Sequence, residues 1–280
     1  MLINRQKCLY YFIKNTKKCS KLNLAKIFFT ISKESKINDY FKFYSFIPYK
    51  FGPYSFELFH DIERLEQENI IKTDEKQIIL NKKINELDLH ENITKKVDYF
   101  EKKFSKMNNR EIIDYVYDKY PEYTIFSKIK KKKQYLLDKT GIFTIGYEGK
   151  SVDEFLNDLI KSKTEYLIDI RNNPWSMKYG YKKYELEFFT DKINIKYKNM
   201  KELGIPSELR KDLEDKDDYK KLLEKYTNKL NFNMEQLNFL KELSKKHKIA
   251  LMCFEKDPEI CHRSVVGKRL KNMGCEVTLN

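Results

Sequence analysis

The second half of the chain alternates between short apolar runs and amphipathic stretches, and this alternation limits the fold more than any other feature. Four runs predict strands, at 142–145, 166–170, 249–253 and 275–279. Helical spacing predicts helices between them, over 151–161, within 230–245 and over 263–273. Strands that alternate with helices are typical of a parallel sheet with helices on both faces. We therefore predict an α/β, Rossmann-like domain over residues 141–280.

The distribution of glycine indicates that a different architecture precedes this domain. Gly52 is the only glycine before residue 140, although the chain has eight. Apolar spacing predicts helices at 5–15, 20–31, 56–68, 92–107 and 109–119. Two short apolar runs, Ile70–Thr73 and Gln77–Leu80, flank a polar turn and predict a hairpin. Helices followed by such a two-stranded wing resemble a winged helix-turn-helix domain.

We therefore predict a mainly helical winged-helix-type domain over residues 1–128 and a basic linker over 129–140. A protein-binding module with the same order of elements is the alternative. The net charge of the chain is +14, and residues 1–50 hold eleven Lys or Arg against two acidic residues, a net of +9. Lysine-rich coding would raise lysine everywhere but would not by itself remove acidic residues from this segment. Such a charge attracts phosphate backbones. We predict binding to double-stranded DNA through Lys14, Lys17, Lys18, Lys21 and Lys50.

Composition excludes several classes of protein. Hydrophobic residues make up 41% of the chain, which is enough for packed cores. No run approaches the roughly 20 apolar residues of a membrane span, and charges are too closely spaced near the start for a signal peptide. Five cysteines at irregular spacing do not suit a disulfide framework. We expect a cytoplasmic protein without a membrane partner, and the sequence leaves its oligomeric state open.

Three polar clusters follow predicted strands, where parallel sheets bind their ligands. In the first, Thr144–Gly149, Gly146 allows close approach of a ligand, Tyr147 offers a stacking face and Glu148 a carboxylate. An ordinary strand-to-helix turn is the alternative. In the second, Asp169–Ser176, Arg171 lies two residues beyond Asp169 on the same face, and the use of a rare arginine instead of lysine indicates bidentate pairing with a carboxylate or phosphate. The alternative there is a purely structural ion pair.

The third cluster, Cys253–Ser264, combines thiols, acids and a Cys-His-Arg sequence at a predicted helix N-terminus, which favours an anion. A thiolate nucleophile activated by His262 is one interpretation, and inert buried cysteines are another. Cys253 and Cys261 are eight positions apart, and an adjacent Cys-His pair seldom binds one metal. We therefore predict no metal and no cofactor.

Four motifs in order, Thr144–Gly149, Leu167–Ser176, Leu203–Pro206 with Arg210, and Leu251–Arg263, resemble the family called domain of unknown function 488 over roughly residues 141–280. Ile205 stands where that family often has a second glycine. The resemblance implies a fold and a set of pocket residues but no reaction. The order of elements is also similar to rhodanese-type sulfurtransferases. However, ten positions from Cys253 to Arg263 form a loop too long to surround one sulfur.

We expect an enzyme that acts on DNA and removes an ordinary or modified base without a metal, in repair or phage defence. Cleavage of an N-glycosidic bond passes through an oxocarbenium-like state that a carboxylate stabilises, and a flipped base stacks on aromatic side chains. A DNA-binding regulator with a nucleotide-sensing C-terminal domain and a thiol-dependent rhodanese-like enzyme are the alternatives. The predicted catalytic residues are Asp169, Glu148 and Glu255. The predicted substrate-binding residues are Gly146, Tyr147, Arg171, Trp175, Ser176, Tyr197, Arg210, Cys253, Cys261, His262 and Arg263.

Within that hypothesis, Asp169 or Glu148 is the electrostatic or nucleophilic carboxylate and Glu255 activates the water. Arg171 and Arg263 would hold phosphate.

Overall fold

The structure, a computed structural model, describes residues 2–129, 140–210 and 216–280, without the side chain of Lys216. The chain divides into two units, Met1–Tyr135 and Leu136–Asn280. Most of the predicted linker over 129–140 lies outside the described residues. In the described part of the chain, no helix is long and apolar enough to span a membrane.

The helices of the first unit agree with the sequence pattern. They are α1 (Asn4–Thr16), α2 (Lys21–Glu34), α3 (Phe56–Gln67), α4 (Glu91–Ser105) and α5 (Asn109–Lys119). Ser20 caps α2, because its hydroxyl oxygen accepts a hydrogen bond from the backbone N–H of Asn23 at 3.1 Å.

The strands of this unit form two small sheets. They are β1 (Lys18–Ser20), β2 (Ile47–Tyr49), β3 (Gly52–Tyr54), β4 (Ile71–Thr73) and β5 (Gln77–Leu80). The predicted hairpin is present as β4 and β5, and β1 joins it in the antiparallel order β1-β5-β4. The sequence gives no sign of β1, which has three residues and no alternating apolar pattern.

Two features of the first unit differ from a simple helix-turn-helix. Residues 35–55, including the β2–β3 hairpin, separate α2 from α3, whereas about 3–4 residues join the two helices of that motif. Helix α3 also carries four acidic residues and one arginine. Two of these acids, Glu57 and Asp61, pair with Arg5 at 3.1 and 2.8 Å. Part of the positive charge of the first 50 residues is thus neutralised inside the unit.

Lys26 is a second basic residue that does not face solvent. Its side chain is buried, and Nζ donates a hydrogen bond to the carbonyl oxygen of Phe51. Burial lowers the pKa of Lys26 to about 7. The surface charge of this segment is therefore smaller than the residue count indicates.

The second unit is an α/β domain built on a five-stranded parallel sheet. Its strands are β6 (Gly141–Gly146), β7 (Tyr166–Asp169), β8 (Lys196–Asn199), β9 (Lys248–Cys253) and β10 (Val277–Thr278). Its helices are α6 (Val152–Lys161), α7 (Lys183–Lys192), α8 (Lys216–Leu230), α9 (Met234–Ser244) and α10 (His262–Asn272). The strand order is β10-β6-β9-β7-β8, and every pairing is parallel. This topology confirms the predicted α/β class.

Predicted elements of this unit are present where apolar periodicity is strong. The capping box before α6 is also present, with the Ser151 N–H donating to Glu154 Oε2 at 2.6 Å. Elements α7, α8 and β8 were not predicted. Strand β8 exposes Lys196 and Lys198, so it lacks an apolar run, and α8 consists largely of charged residues.

Strand β9 lies between β6 and β7, so the three predicted clusters follow three neighbouring strands. Gly146 at the end of β6 is opposite Cys253 at the end of β9. Asp169 at the end of β7 is opposite Met252. The carboxyl ends of these strands therefore form one continuous edge, which is where open α/β sheets bind their ligands.

Candidate functional site

The loop after β9 packs directly on the end of β6. The carbonyl oxygen of Phe254 accepts hydrogen bonds from the N–H groups of Tyr147 and Glu148 at 3.1 and 2.9 Å. Glu148 Oε2 in turn accepts the Lys256 N–H at 2.8 Å. A Cβ atom on Gly146 would lie 1.9 Å from the carbonyl oxygen of Glu255. The close approach that Gly146 permits is thus to the protein's own backbone.

Asp169 and Arg171 form a buried ion pair at the end of β7. Arg171 donates from Nε to Asp169 Oδ1 at 2.9 Å and from an Nη atom to Oδ2 at 2.7 Å. Tyr197 adds a hydrogen bond to Oδ2 at 2.7 Å, and the backbone N–H of Arg171 adds one to Oδ1 at 3.0 Å. Asp169 is fully buried and Arg171 is 5% exposed. All these bonds are internal, so the geometry favours the structural interpretation of the pair.

Tyr147 and Tyr197 both hydrogen-bond to this ion pair. The surroundings of Tyr147 also differ from those expected of a residue that stacks on a base. Its ring is buried and stacks on that of Tyr181, with centroids 4.1 Å apart and 14° between planes. Its hydroxyl accepts a hydrogen bond from Arg171 at 2.8 Å, and burial raises its pKa. The face predicted to stack on a base is therefore covered by Tyr181. Burial, and then Asp169, raise the pKa of Tyr197.

A second group, here called the thiol cluster, lies between the end of β9 and the start of α10 and consists of Cys253, Glu255, Cys261 and His262. One ligand atom from each residue lies within 4.8 Å of the others. Glu255 Oε2 is 3.0 Å from Cys253 Sγ and 2.9 Å from Cys261 Sγ. The Nδ1 atom of His262 is 3.6 Å from Cys253 Sγ. Cys253, Cys261 and His262 are each at most 1% exposed.

The start of α10 explains why adjacent Cys and His side chains meet. Cys261 is the N-cap residue and has extended backbone angles (φ −121°, ψ 134°), whereas His262 begins the helix. This change of backbone conformation turns both side chains toward Cys253. Sequence spacing alone does not show such a bend.

Burial and the contacts within the thiol cluster shift the pKa values of its four residues. Burial by itself would raise the pKa of Cys253, but contacts with Cys261, His262 and Glu255 lower it. Burial, together with Cys253, raises the pKa of Cys261 and of Glu255. Burial would lower the pKa of His262, and the Cys253 sulfur raises it above the ordinary value. Negative charge therefore concentrates on Cys253, because a second buried anion beside it is costly.

Arg210 covers the thiol cluster from the side of solvent. It donates to Glu255 Oε1 at 3.1 Å, and another Nη atom lies 3.2 Å from His262 Nδ1. Since a guanidinium only donates, this contact suits the neutral form of His262 with the lone pair on Nδ1 and the proton on Nε2. This proton is directed at the carbonyl oxygen of Ile170, 3.1 Å away. The side chains of Arg210 and Glu255 are 31% and 12% exposed, so they form the accessible rim.

Arg263 holds the loop and is fully buried. Its guanidinium donates to the backbone carbonyl oxygens of Glu255 at 2.6 Å, Lys256 at 2.9 Å and Asn280 at 3.1 Å. Arg171 is likewise bound to internal groups, including the Tyr181 carbonyl oxygen at 2.9 Å. Neither guanidinium is presented to solvent as the predicted phosphate contact requires.

The remaining predicted residue pair lies in the loop after β7. Trp175 is 61% exposed, and its ring is available for stacking. The hydroxyl oxygen of Ser176 accepts a hydrogen bond from the Lys178 N–H at 3.1 Å.

Three residues of the site were not predicted from the sequence. Tyr181 is buried against Tyr147 and donates to the carbonyl oxygen of Ser151 at 2.9 Å. Asn199 donates to the Asp169 carbonyl oxygen at 2.9 Å, and the Tyr226 ring lies 5.5 Å from that of His262. None of the three carries a usable sequence signal, since even Asn199 ends β8, a strand without an apolar run.

The lysines predicted to bind nucleic acid do not all lie in one element. Lys14, Lys17, Lys18 and Lys50 are exposed, and Lys21 is half-buried. Lys14 lies in α1, and Lys17, Lys18 and Lys21 follow along the chain. Lys50 lies between β2 and β3. In the turn of the β4–β5 hairpin, backbone hydrogen bonds lower the pKa of Asp74, and Lys18 and Lys21 add to this effect.

A basic groove of about 870 Å³ lies in the second unit. Five lysines and one aspartate are among its lining residues, which also include Gly146 beside the thiol cluster. These charged residues are Lys150, Lys161, Lys163, Lys248, Lys256 and Asp158.

Of the comparisons with known proteins, the one with family models gives a match, and this match lies in the second unit. No curated protein and no solved structure matches the chain. Residues 151–270 match the family model described as Domain of unknown function DUF488. This range contains both the Asp169–Arg171 pair and the whole thiol cluster. The resemblance seen in the motifs is thus confirmed for residues 151–270, which form a domain similar to the DUF488 family.

Proposed function

We propose that this chain is an enzyme that acts on duplex DNA and removes a base by hydrolysis of the N-glycosidic bond. The observation that carries the proposal is the position of Glu255. Its carboxylate lies at the rim of a buried polar cluster, at the sheet edge where ligands bind, and its pKa is raised. A carboxylate of raised pKa in such a cleft is typical of a general acid or base.

The other two predicted carboxylates are less suited to that role. The oxygens of Asp169 accept hydrogen bonds from Arg171 and Tyr197, which leave no oxygen directed at a substrate. Glu148 uses Oε2 to hold the Lys256 N–H and so positions the loop that carries Glu255. We therefore assign water activation to Glu255 and positioning to Asp169 and Glu148.

The surroundings of Glu255 are consistent with a nucleic-acid substrate. The basic groove is lined by five lysines and meets the loop of Glu255 at Lys256, although Glu255 itself is not among its lining residues. Phosphate backbones are attracted to such a charge. Trp175 is the exposed aromatic side chain of the loop after β7 and would stack on a flipped base.

The first unit would bind the duplex as a winged-helix-type domain. Its support is the order of elements: β1 lies between α1 and α2, the β4–β5 hairpin follows α3, and β1 joins that hairpin in one sheet. Because α3 is acidic, we assign the phosphate contacts to the exposed lysines near the end of α1 rather than to α3. In this proposal Lys14, Lys17 and Lys18 contribute charge, not sequence recognition.

Glu255→Gln is expected to reduce base removal by on the order of 100-fold, because general-base catalysis contributes about 10²–10⁴-fold. Labelled duplexes with ordinary or modified bases, with and without chelator, would be incubated with the protein and treated with mild alkali. Alkali-dependent strand breaks report abasic sites.

Glu259→Gln is the matched control, since Glu259 is exposed in the same loop. It should retain the wild-type rate. Equal rates for the two variants would remove Glu255 from the reaction. DNA binding without product from wild-type protein would favour a regulator instead of an enzyme.

Replacing Lys14, Lys17 and Lys18 together by Glu should weaken duplex binding and flatten its salt dependence. Each lost phosphate contact should reduce the slope of log affinity against log salt by about 0.9. Fluorescence anisotropy at several salt concentrations measures both effects.

The control for this variant is Lys95, Lys102 and Lys106 replaced by Glu, which changes the charge of the same unit by the same amount at other exposed positions. Equal losses of affinity in the two triple variants would show a general charge effect and would contradict the assigned DNA surface.

A further inference from the structure

We propose that the thiol cluster binds a zinc ion through Cys253 Sγ, Cys261 Sγ and His262 Nδ1, with Glu255 beside a fourth, open position. The role of Glu255 in this arrangement rests on the proposed function, whereas metal binding itself does not. The proposal replaces the expectation, drawn from sequence spacing, that no metal binds here.

The donor atoms suit zinc. Two cysteine sulfurs and one imidazole nitrogen form a set that favours zinc over magnesium or calcium, and three protein ligands with an open fourth position are typical of catalytic zinc. One donor from each cluster residue lies within 4.8 Å of the others. Tetrahedral zinc with Zn–S of about 2.3 Å and Zn–N of about 2.0–2.1 Å places sulfur and nitrogen about 3.5 Å apart. Cys253 Sγ and His262 Nδ1 are 3.6 Å apart.

The hydrogen bonds of His262 prepare Nδ1 for a metal. Its Nε2 proton is directed at the Ile170 carbonyl oxygen at 3.1 Å. This contact leaves the Nδ1 lone pair facing the two sulfurs. Metal-binding histidines almost always donate their other ring N–H to a carbonyl or carboxylate in this way. Arg210, which lies 3.2 Å from Nδ1, is partly exposed and would have to give up that contact when a metal binds.

A bound cation would also compensate the negative charge of the buried thiol cluster. Two sulfurs and a carboxylate oxygen within hydrogen-bond distance cannot all be ionised away from water without a counter-charge. Zinc takes both cysteines as thiolates, so their protons leave when it binds. Glu255 Oε2 then loses the two thiol donors that it contacts. Arg210 still holds Oε1 at 3.1 Å, so the freed oxygen stays beside the open position.

Glu255 would there accept a proton from water at the fourth position while the water oxygen bonds to the sugar carbon and the N-glycosidic bond breaks. The departing base would then take up that proton. Because zinc lowers the pKa of a bound water to about 7, the two groups would act on the same molecule. The inference thus supplies the water that the proposed base removal requires.

Metal content of the full chain, purified without chelator, tests the proposal directly. We expect one zinc per chain by mass spectrometry. Exchange for Co²⁺ should give the visible absorption of a tetrahedral site and a thiolate-to-cobalt charge-transfer band. Cys253→Ser, Cys261→Ser and His262→Asn should each lose the ion, whereas Glu255→Gln should retain it because Glu255 is not a ligand in this arrangement.

Cys275→Ser is the matched control, since Cys275 lies outside the thiol cluster, and it should keep one zinc. A second measurement uses wild-type protein and so does not depend on the folding of a variant. Co²⁺ titration of metal-free wild-type protein should saturate at one ion per chain, and the visible spectrum should disappear when a chelator is added. Wild-type protein that contains no zinc and gives no cobalt spectrum would overturn the proposal.

The two proposals fail in different ways. Bound metal without alkali-dependent breaks would keep the zinc site and remove the proposed reaction. Base removal by protein that binds neither zinc nor cobalt would do the reverse.

Discussion

Asp169→Asn is expected to lower the free energy of unfolding by about 3–5 kcal/mol, the cost of removing one partner of a buried ion pair. The variant leaves the Arg171 guanidinium 5% exposed without its counter-charge. It also weakens the hydrogen bond that Tyr197 donates at 2.7 Å. Urea unfolding followed by circular dichroism would measure the change as a shift of the transition midpoint.

Asp158→Asn provides the matched control for this variant. Asp158 pairs with Lys150 at 2.9 Å, but the two side chains are 42% and 33% exposed. An exposed pair contributes about 0–1 kcal/mol, so this change should be nearly neutral. If Asp169→Asn abolished base removal without lowering stability, Asp169 would be catalytic, as predicted from the sequence, and its assignment as a positioning residue would be wrong.

Gly146→Ala is expected to lower the free energy of unfolding by about 3 kcal/mol, at the upper end of the usual cost of overpacking. A Cβ atom at this position would lie 1.9 Å from the Glu255 carbonyl oxygen. The loop must therefore move away from β6, and it carries Glu255 and Cys261 with it. Cobalt binding should weaken together with stability, and one titration of each property would measure both effects.

Gly149→Ala separates this clash from a general effect of alanine in the same turn. Gly149 has φ +76°, and a Cβ atom there would meet nothing within 4 Å. Its cost should be the backbone strain alone, roughly 1–2 kcal/mol, with cobalt binding unchanged. Equal loss of cobalt binding in the two alanine variants would contradict the close packing of the loop on Gly146.

Much of the second unit follows from its sequence, because its central strands are apolar and its turns carry clear signals. The rule that ligands bind at the carboxyl ends of parallel strands predicts that the clusters of Gly146, Asp169 and Cys253 lie at one edge of the sheet. The edge strand β8 and helix α8 escaped prediction because burial of a few side chains, rather than a long apolar pattern, holds them.

The roles of individual side chains depend on partners that are distant in the sequence. Asp169 and Glu255 are both acids near strand ends. Only the structure shows that the carboxylate of Asp169 is hydrogen-bonded by Arg171 and Tyr197. The carboxylate of Glu255 instead reaches the accessible rim. Tyr147 has an aromatic ring of the kind that stacks on a base. However, the ring of Tyr181, 34 positions later in the sequence, stacks on it instead. Adjacent cysteine and histidine residues seldom bind one metal, so spacing alone argues against a site at Cys261 and His262. The sequence spacing contains no information on the bend at the start of α10, which brings the two side chains together.

The position of β9 between β6 and β7 has a consequence for synthesis of the protein. The described partners of β6 are β9 and β10, so β6 finds no neighbour in the sheet until the chain has reached residue 248. At about 5–20 residues per second, the roughly 100 residues between them take about 5–20 seconds to make. For that time an apolar strand emerges with both edges open, which exposes it to aggregation. The thiol cluster, which begins with the last residue of β9, is thus assembled in the last stage of folding.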